Sequence, residues 1–203
     1  MINKINYSLT SSHFFLALVG ALWYNIFMML NPEETIKPLL LRDDSKVADL
    51  GAGSGVFTLA ATKFLYTGKV YAVDVQRGLL PLIASKIDSD HQKNVEIVWG
   101  NVEEPGGTKL KSGSIDAVIF ANMLFQISRK DIAIEEIKRI LKEGGKLLVV
   151  DWTGSFGNMG PREEDIVSKG SARDLFEKNG FVFVTDTPAG DYHYGMIFTF
   201  QKK

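Results

Sequence analysis

Asp49 and Asp74 each close an apolar run, Val47-Ala48-Asp49-Leu50 and Val70-Tyr71-Ala72-Val73-Asp74, and the first run turns directly into Gly51-Ala52-Gly53-Ser54-Gly55. Glycines at alternate positions let the main chain take angles closed to other residues, and without a Cβ they let a ligand lie against the backbone. A carboxylate at the carboxyl end of the next strand can accept both hydroxyls of a ribose. The two runs therefore describe a nucleoside site at the edge of a parallel sheet. Spacing narrows the ligand. A dinucleotide fingerprint needs a third small residue where this chain has Val56, and no G-x-x-x-x-G-K-[ST] loop occurs, so a ligand without a pyrophosphate fits better.

A second constellation lies near the C-terminus, Asp191-Tyr192-His193-Tyr194. Histidine titrates near neutrality, so His193 beside Asp191 could deprotonate a hydroxyl or an acidic carbon. The alternative is an aromatic hairpin with a solvent-facing imidazole. Acceptor recognition is expected from loops beyond the strand ends, namely residues 191–194 and Asp151-Trp152-Thr153 with the glycine-rich stretch to Gly160, while Ala121-Asn122-Met123, after the fourth strand, should line the pocket. Asn122 either lines the pocket or caps its own loop. Pro161-Arg162-Glu163-Glu164-Asp165 reads as a capped helix start.

The elements that must position these residues alternate in the βαβ manner from Pro32 onward, which predicts an α/β fold with a mostly parallel sheet and helices on both faces. Strands are expected at 46–50, 69–74, 95–99, 115–120 and 145–151, and helices at 32–41, 56–66, 78–88, 129–142 and 171–179. Residues 181–187 and 194–201 read as two closing strands, an antiparallel hairpin that brings the sheet to seven. Gly180 follows Lys178-Asn179, a helix stop.

Composition sets limits. With 203 residues, one domain with a sizeable core is the default. Twenty-three basic against 24 acidic side chains give a net charge of −1, without the basic excess of a nucleic-acid binder, so no nucleic-acid partner is expected. The chain contains no cysteine, which removes disulfides and thiolate chemistry, and its three histidines, at 13, 91 and 193, are too scattered to suggest a metal centre.

The spacing D-x-G-x-G-x-G, followed by Asp74, the turn Gly100-Asn101-Val102-Glu103, the run 115–122, and the helix 129–142 leading through Gly144-Gly145 into 146–151, resembles the class I S-adenosylmethionine-dependent methyltransferases. The resemblance extends from about residue 32 to the C-terminus, and it implies their Rossmann-like fold. It also implies a cofactor, S-adenosylmethionine, with Asp49, Gly51, Ala52, Gly53 and Gly55 facing its methionine part, Asp74 its ribose, and Val75, Asn101 and Val102 its adenine. Asn122 would lie beneath the methyl group. Asn101 stands where many relatives carry aspartate, and an amide oxygen still accepts, without charge assistance. Asn31-Pro32-Glu33-Glu34, residues 121–126, Val150-Asp151-Trp152 and residues 190–195 look like a branch close to the ubiquinone/menaquinone C-methyltransferases. That resemblance does not settle the acceptor; the leading expectation is a methyltransferase for a small or lipophilic acceptor, with His193 and Asp191 as candidate catalytic residues and no metal. A protein methyltransferase or a non-catalytic S-adenosylmethionine-binding module are the alternatives. The N-P-P-[YFW] tetrapeptide of enzymes that methylate DNA bases is absent.

Residues 1–31 form a separate question, because Lys4 is the only charge before Asn31 and the stretch from Phe14 to Leu30 is almost wholly apolar. No small-residue cleavage site follows the apolar run, so export is not expected and a cytoplasmic location is. As a helix, 17 residues rise about 25 Å, short of the roughly 30 Å hydrocarbon core. The expectation is a helix packed on the domain or on a second copy, or resting on a membrane surface, ahead of a methyltransferase domain at 32–203.

Overall fold

Along the strand-forming runs, side chains alternate between two buried faces. Val47 packs on one side of the sheet, and Ala48 and Leu50 on the other. The computed structural model describes residues 30–90, 93–157 and 159–201. Residues 14–29 lie outside the described residues. Leu30 is buried against the domain, and no helix among the described residues is long and apolar enough to cross a membrane.

In chain order the elements are α1 (Pro32–Ile36), β1 (Lys46–Leu50), α2 (Val56–Thr62), β2 (Lys69–Asp74), α3 (Leu80–Ser89), β3 (Val95–Trp99), β4 (Ile115–Ala121), α4 (Lys130–Ile140), β5 (Leu141–Trp152), α5 (Lys169–Lys178), β6 (Phe181–Asp186) and β7 (His193–Phe200). The sheet has the order β3-β2-β1-β4-β5-β7-β6. Its first five strands in the chain are parallel, and β7 runs antiparallel to both β5 and β6, as the closing hairpin requires. α4 and α5 bury Ile134, Ile137 and Phe176 on one face against Val118, Phe120, Leu147 and Phe198. On the other face, Ile36 of α1 and Phe57 of α2 cover Val47, Ile119, Leu148 and Ile197, while Ile83 and Ile87 of α3 cover Ala72. The strand order reverses between β1 and β4, and in open α/β sheets that switch point opens a crevice at the carboxyl ends of the strands.

Element ends depart from expectation for identifiable reasons. The helix expected at 32–41 stops at Ile36 and continues as a single 3-10 turn, Lys37–Leu39, because Pro38 has no N–H for the helical ladder. α2 stops at Thr62 instead of 66; the amides of Lys63, Phe64 and Leu65 turn to carbonyls three residues back, and those of Tyr66, Thr67 and Gly68 converge on the Asp43 carbonyl. Leu141 is already extended and pairs with Ile115, so β5 begins four residues before the expected 145. Lys142 to Gly145 form a bulge before pairing resumes at Lys146. Residues 161–165 do not start a helix: they make one 3-10 turn, Glu163–Asp165, held by Arg162 on Asp165.

Candidate active site

The crevice between β1 and β4 is floored by the glycine turn, which Asp74 holds. The Asp74 carboxylate is buried; one oxygen accepts from Gly53 N at 2.8 Å and the other from Gln76 N at 2.8 Å. One acid thus ties the end of β2 to the turn after β1 and keeps a lone pair on each oxygen for a ligand. The glycines at 51 and 53 differ in what surrounds them. Both have left-handed backbones, φ +75° and +54°, but a Cβ on Gly51 would lie 2.1 Å from the Met123 sulfur, whereas one on Gly53 would meet nothing nearer than 3.8 Å. Gly51 is therefore needed for close packing of Met123, and Gly53 leaves open space at the crevice.

Asp49 lies beneath this turn, 2 % exposed, and accepts from the Thr58 hydroxyl at 2.6 Å. Burial pushes its carboxyl up to about 7; the Thr58 hydrogen bond opposes that rise and the Asp74 charge adds to it. Among the described residues no lysine or arginine forms an ion pair with Asp49 or Asp74. The two carboxyls thus lie near the carboxyl ends of adjacent strands without a cation from the protein.

At the end of β2 the apolar Val75 is half exposed. Beside it Trp99, the last residue of β3, donates from its indole to Val75 O at 2.9 Å and carries the Arg77 guanidinium 3.9 Å and the Lys109 ammonium 4.2 Å from its ring centre. Asn101 closes its own turn, accepting from Glu103 N at 3.0 Å and donating to Glu104 at 3.0 Å, so one lone pair of its amide oxygen is left. Val102 points into the core and can offer a ligand only its main chain.

Across the crevice, Asn122 follows β4 in a left-handed conformation, φ +57°, rare for a residue with a side chain. Its main chain is fixed by Asn122 N donating to Val150 O at 2.7 Å and by Gln126 Nε2 donating to Asn122 O at 2.6 Å, yet its buried Oδ1 has no partner. Asp151 accepts from Leu124 N and from Trp152 N, both at 2.8 Å, and burial pushes its carboxyl up to about 6. His193 pairs with Trp152 across β5 and β7, with ring centres 4.2 Å apart. It is not the solvent-facing imidazole of the hairpin alternative, being 7 % exposed, with Nε2 buried and unpartnered; burial pulls it down to about 4. Asp191 is exposed and makes no hydrogen bond or ion pair with His193, so the two candidates are not joined as a dyad.

The structure thus gathers Asp49, Gly51, Ala52, Gly53, Gly55 and Asp74 with Asn122 at the switch point. Val75, Asn101 and Val102 lie at one end of the crevice, and His193 lies at the start of β7, beside Trp152 at the end of β5. Sequence reasoning missed Thr58 and the stacked Trp99. Only Thr58 left a signal, a hydroxyl on the inward face of an apolar helix nine positions after Asp49.

Residues 48–149 match the family model described as "Methyltransferase domain". The chain is 29 % identical over 121 residues, covering 59 % of it and 47 % of the relative, to the ubiquinone/menaquinone biosynthesis C-methyltransferase UbiE of Hahella chejuensis; it spans about half the length of the curated relatives it matches. Its structure is similar to that of a SAM dependent methyltransferase from Aquifex aeolicus, with TM-score 0.77 and 25 % identity over 85 % of this chain and 91 % of that one. A methyltransferase from Methanococcus maripaludis shares the fold, with TM-score 0.66 and 19 % identity over 100 % of this chain and 98 % of that one. With the matched span running from β1 through β5 and enclosing both acids and the glycine turn, the chain belongs to the methyltransferase domain family.

Proposed function

We propose that residues 32–203 form an S-adenosylmethionine-dependent methyltransferase acting on a small or lipophilic acceptor. The observation that carries this reading is the pair of buried carboxylates, Asp49 and Asp74, around a glycine turn without a cation from the protein. Such a pocket suits a ligand that is cationic at one end and carries ribose hydroxyls at the other. The remaining residues fit that ligand: the open space at Gly53, the half-exposed apolar face of Val75, the spare lone pair of Asn101, and the orphaned Asn122 oxygen, an acceptor for an ammonium.

Bound S-adenosylmethionine supplies a methyl group on a sulfonium, open to in-line displacement. What this chain adds is alignment and exclusion of water. Met123, packed on Gly51, and Asn122, held rigid by Val150 and Gln126, form the partition between donor and acceptor sides. His193 is unprotonated at neutral pH and unpartnered at Nε2, so it serves the acceptor side as a neutral hydrogen-bonding group; Asp191 stays a candidate only through movement of its exposed turn. Because the cofactor is made inside the cell, the reaction is assigned there, and the apolar residues 14–30 are read as a segment that packs on the domain or a second copy, or rests on a membrane surface.

Calorimetric titration with S-adenosylmethionine, then a screen of small, lipophilic and peptide acceptors for S-adenosylhomocysteine release, tests the reading. Saturable binding and turnover on small or lipophilic acceptors is expected. Turnover on peptides alone would move the assignment to protein methylation, binding without turnover would make the chain a ligand-binding module, and absence of binding would end the proposal.

A further inference from the structure

The loop after Asn122 and Met123 does more than partition the crevice, because its far side walls a cavity of about 550 Å³, within the range that holds small organic ligands. Residues 125–128 and Lys130 form one wall, and Arg162 with residues 164–167 the other, so four apolar side chains, Phe125, Ile127, Ile166 and Val167, stand among polar and charged ones. Hydrogen bonds to facing residues of β5 and β7 pin both walls: Leu124 N donates to Asp151 at 2.8 Å, and the Tyr194 hydroxyl donates to Val167 O at 2.9 Å. The cavity is therefore built before any ligand arrives. Gln126 connects it to the donor side, since its amide touches Asn122 O and, at 3.6 Å, the sulfur of Met123, which packs on Gly51.

The charges around the cavity are unequally spent. Arg162 is paired with Glu164 and Asp165. Asp151 gives its two oxygens to main-chain amides. Lys130 alone among the lining charges has no ion pair; its ammonium donates to Ile127 O at 2.9 Å and keeps two donors free. A half-buried ammonium with Phe125, Ile127, Ile166 and Val167 around it recognises an anion on a partly apolar body, because a charge-assisted hydrogen bond gains strength where water is thinned. We infer that this cavity binds the methyl acceptor and that the acceptor is an amphipathic molecule bearing one anionic group, a carboxylate or sulfonate, received by Lys130. The inference rests on the methyltransferase reading for the ligand's role, and on the cavity alone for its chemistry.

The test titrates the full chain with 8-anilinonaphthalene-1-sulfonate and with its uncharged analogue N-phenyl-1-naphthylamine, by fluorescence, in wild type, Lys130→Met and Ile166→Trp. Lys130→Met is expected to weaken the anionic probe about tenfold or more while the neutral probe stays within about twofold. Ile166→Trp, which fills the cavity, is expected to displace both. Unchanged affinity for the anionic probe in Lys130→Met, or both probes retained in Ile166→Trp, would overturn the assignment. Calorimetry with S-adenosylmethionine on the same proteins should show wild-type affinity in Lys130→Met. Absence of cofactor binding in wild type would overturn the donor reading instead, so the two failures fall in different titrations.

Discussion

The two sides of the crevice handle their polar groups in opposite ways. On the donor side nearly every hydrogen bond is closed within the protein: Asp74 holds Gly53 and Gln76, Thr58 holds Asp49, and Asn101 holds its own turn, so what is left over is negative charge. On the acceptor side what is left over is the Lys130 ammonium, which has no ion pair, and the buried, unpartnered His193 Nε2, while the buried Asn122 Oδ1 is orphaned on the partition between the two sides. Leaving a buried polar atom without a partner costs about 1–3 kcal/mol, so each marks a place where a ligand or water is expected to complete the bond. A donor with fixed chemistry is met by a rigid cradle; acceptor chemistry is written in a few orphaned atoms.

Four substitutions break or sharpen that contrast, in falling order of effect. Gly53→Val fills the open space and strains a left-handed turn, so calorimetry should detect no cofactor binding; wild-type affinity would mean the ligand lies elsewhere. Asp74→Ala should weaken cofactor binding by about 1–3 kcal/mol and also lower the melting temperature, because two main-chain amides lose their acceptor.

Asp49→Asn separates binding from stability. A carboxyl raised from 3.8 to about 7 by folding favours the folded state fully below pH 4, and that contribution is lost as pH rises through 7. Asparagine, which cannot ionise, should therefore stabilise the ligand-free protein at pH 8 by on the order of 2 kcal/mol while weakening the cationic ligand. Lower stability than wild type at pH 8 would count against an uncompensated charge. The smallest effect belongs to the acceptor side. His193→Phe removes an unpaired atom from a stacked, buried ring, so stability should hold within about 1 kcal/mol and cofactor affinity should not move, while turnover falls about tenfold. Unaltered turnover would leave His193 as packing for Trp152.

The donor side was legible because its signals are local. A strand-end acid, glycines in a fixed spacing and a second strand-end acid each follow from backbone geometry within a few residues, and the strands β1, β2 and β3 fall at their expected limits. The ends of α1, α2 and α4 were less legible, since they depend on where an amide finds a carbonyl, as with Tyr66 and Asp43. The acceptor side was legible in residue type alone. That His193 is buried and does not pair with Asp191 follows from β7 pairing with Trp152, more than 30 positions away, and from Gly160 lying against that indole. The Met123 sulfur on Gly51 had no sequence signal at all.

Calorimetric titration of S-adenosylmethionine from pH 5.5 to 8.5, in buffers of different ionisation enthalpy, tests the claim that Asp49 and Asp74 form a negative pocket completed by a cationic ligand. Asp49 sits near 7 without ligand, and a bound cation lowers it, so binding below pH 7 must release a proton. Affinity should rise up to about tenfold per pH unit below 7 and level off above it, with a shallower slope for S-adenosylhomocysteine, which lacks the sulfonium charge, and a flat profile in Asp49→Asn. Binding that releases no proton, with the same pH profile in wild type and Asp49→Asn, would contradict it.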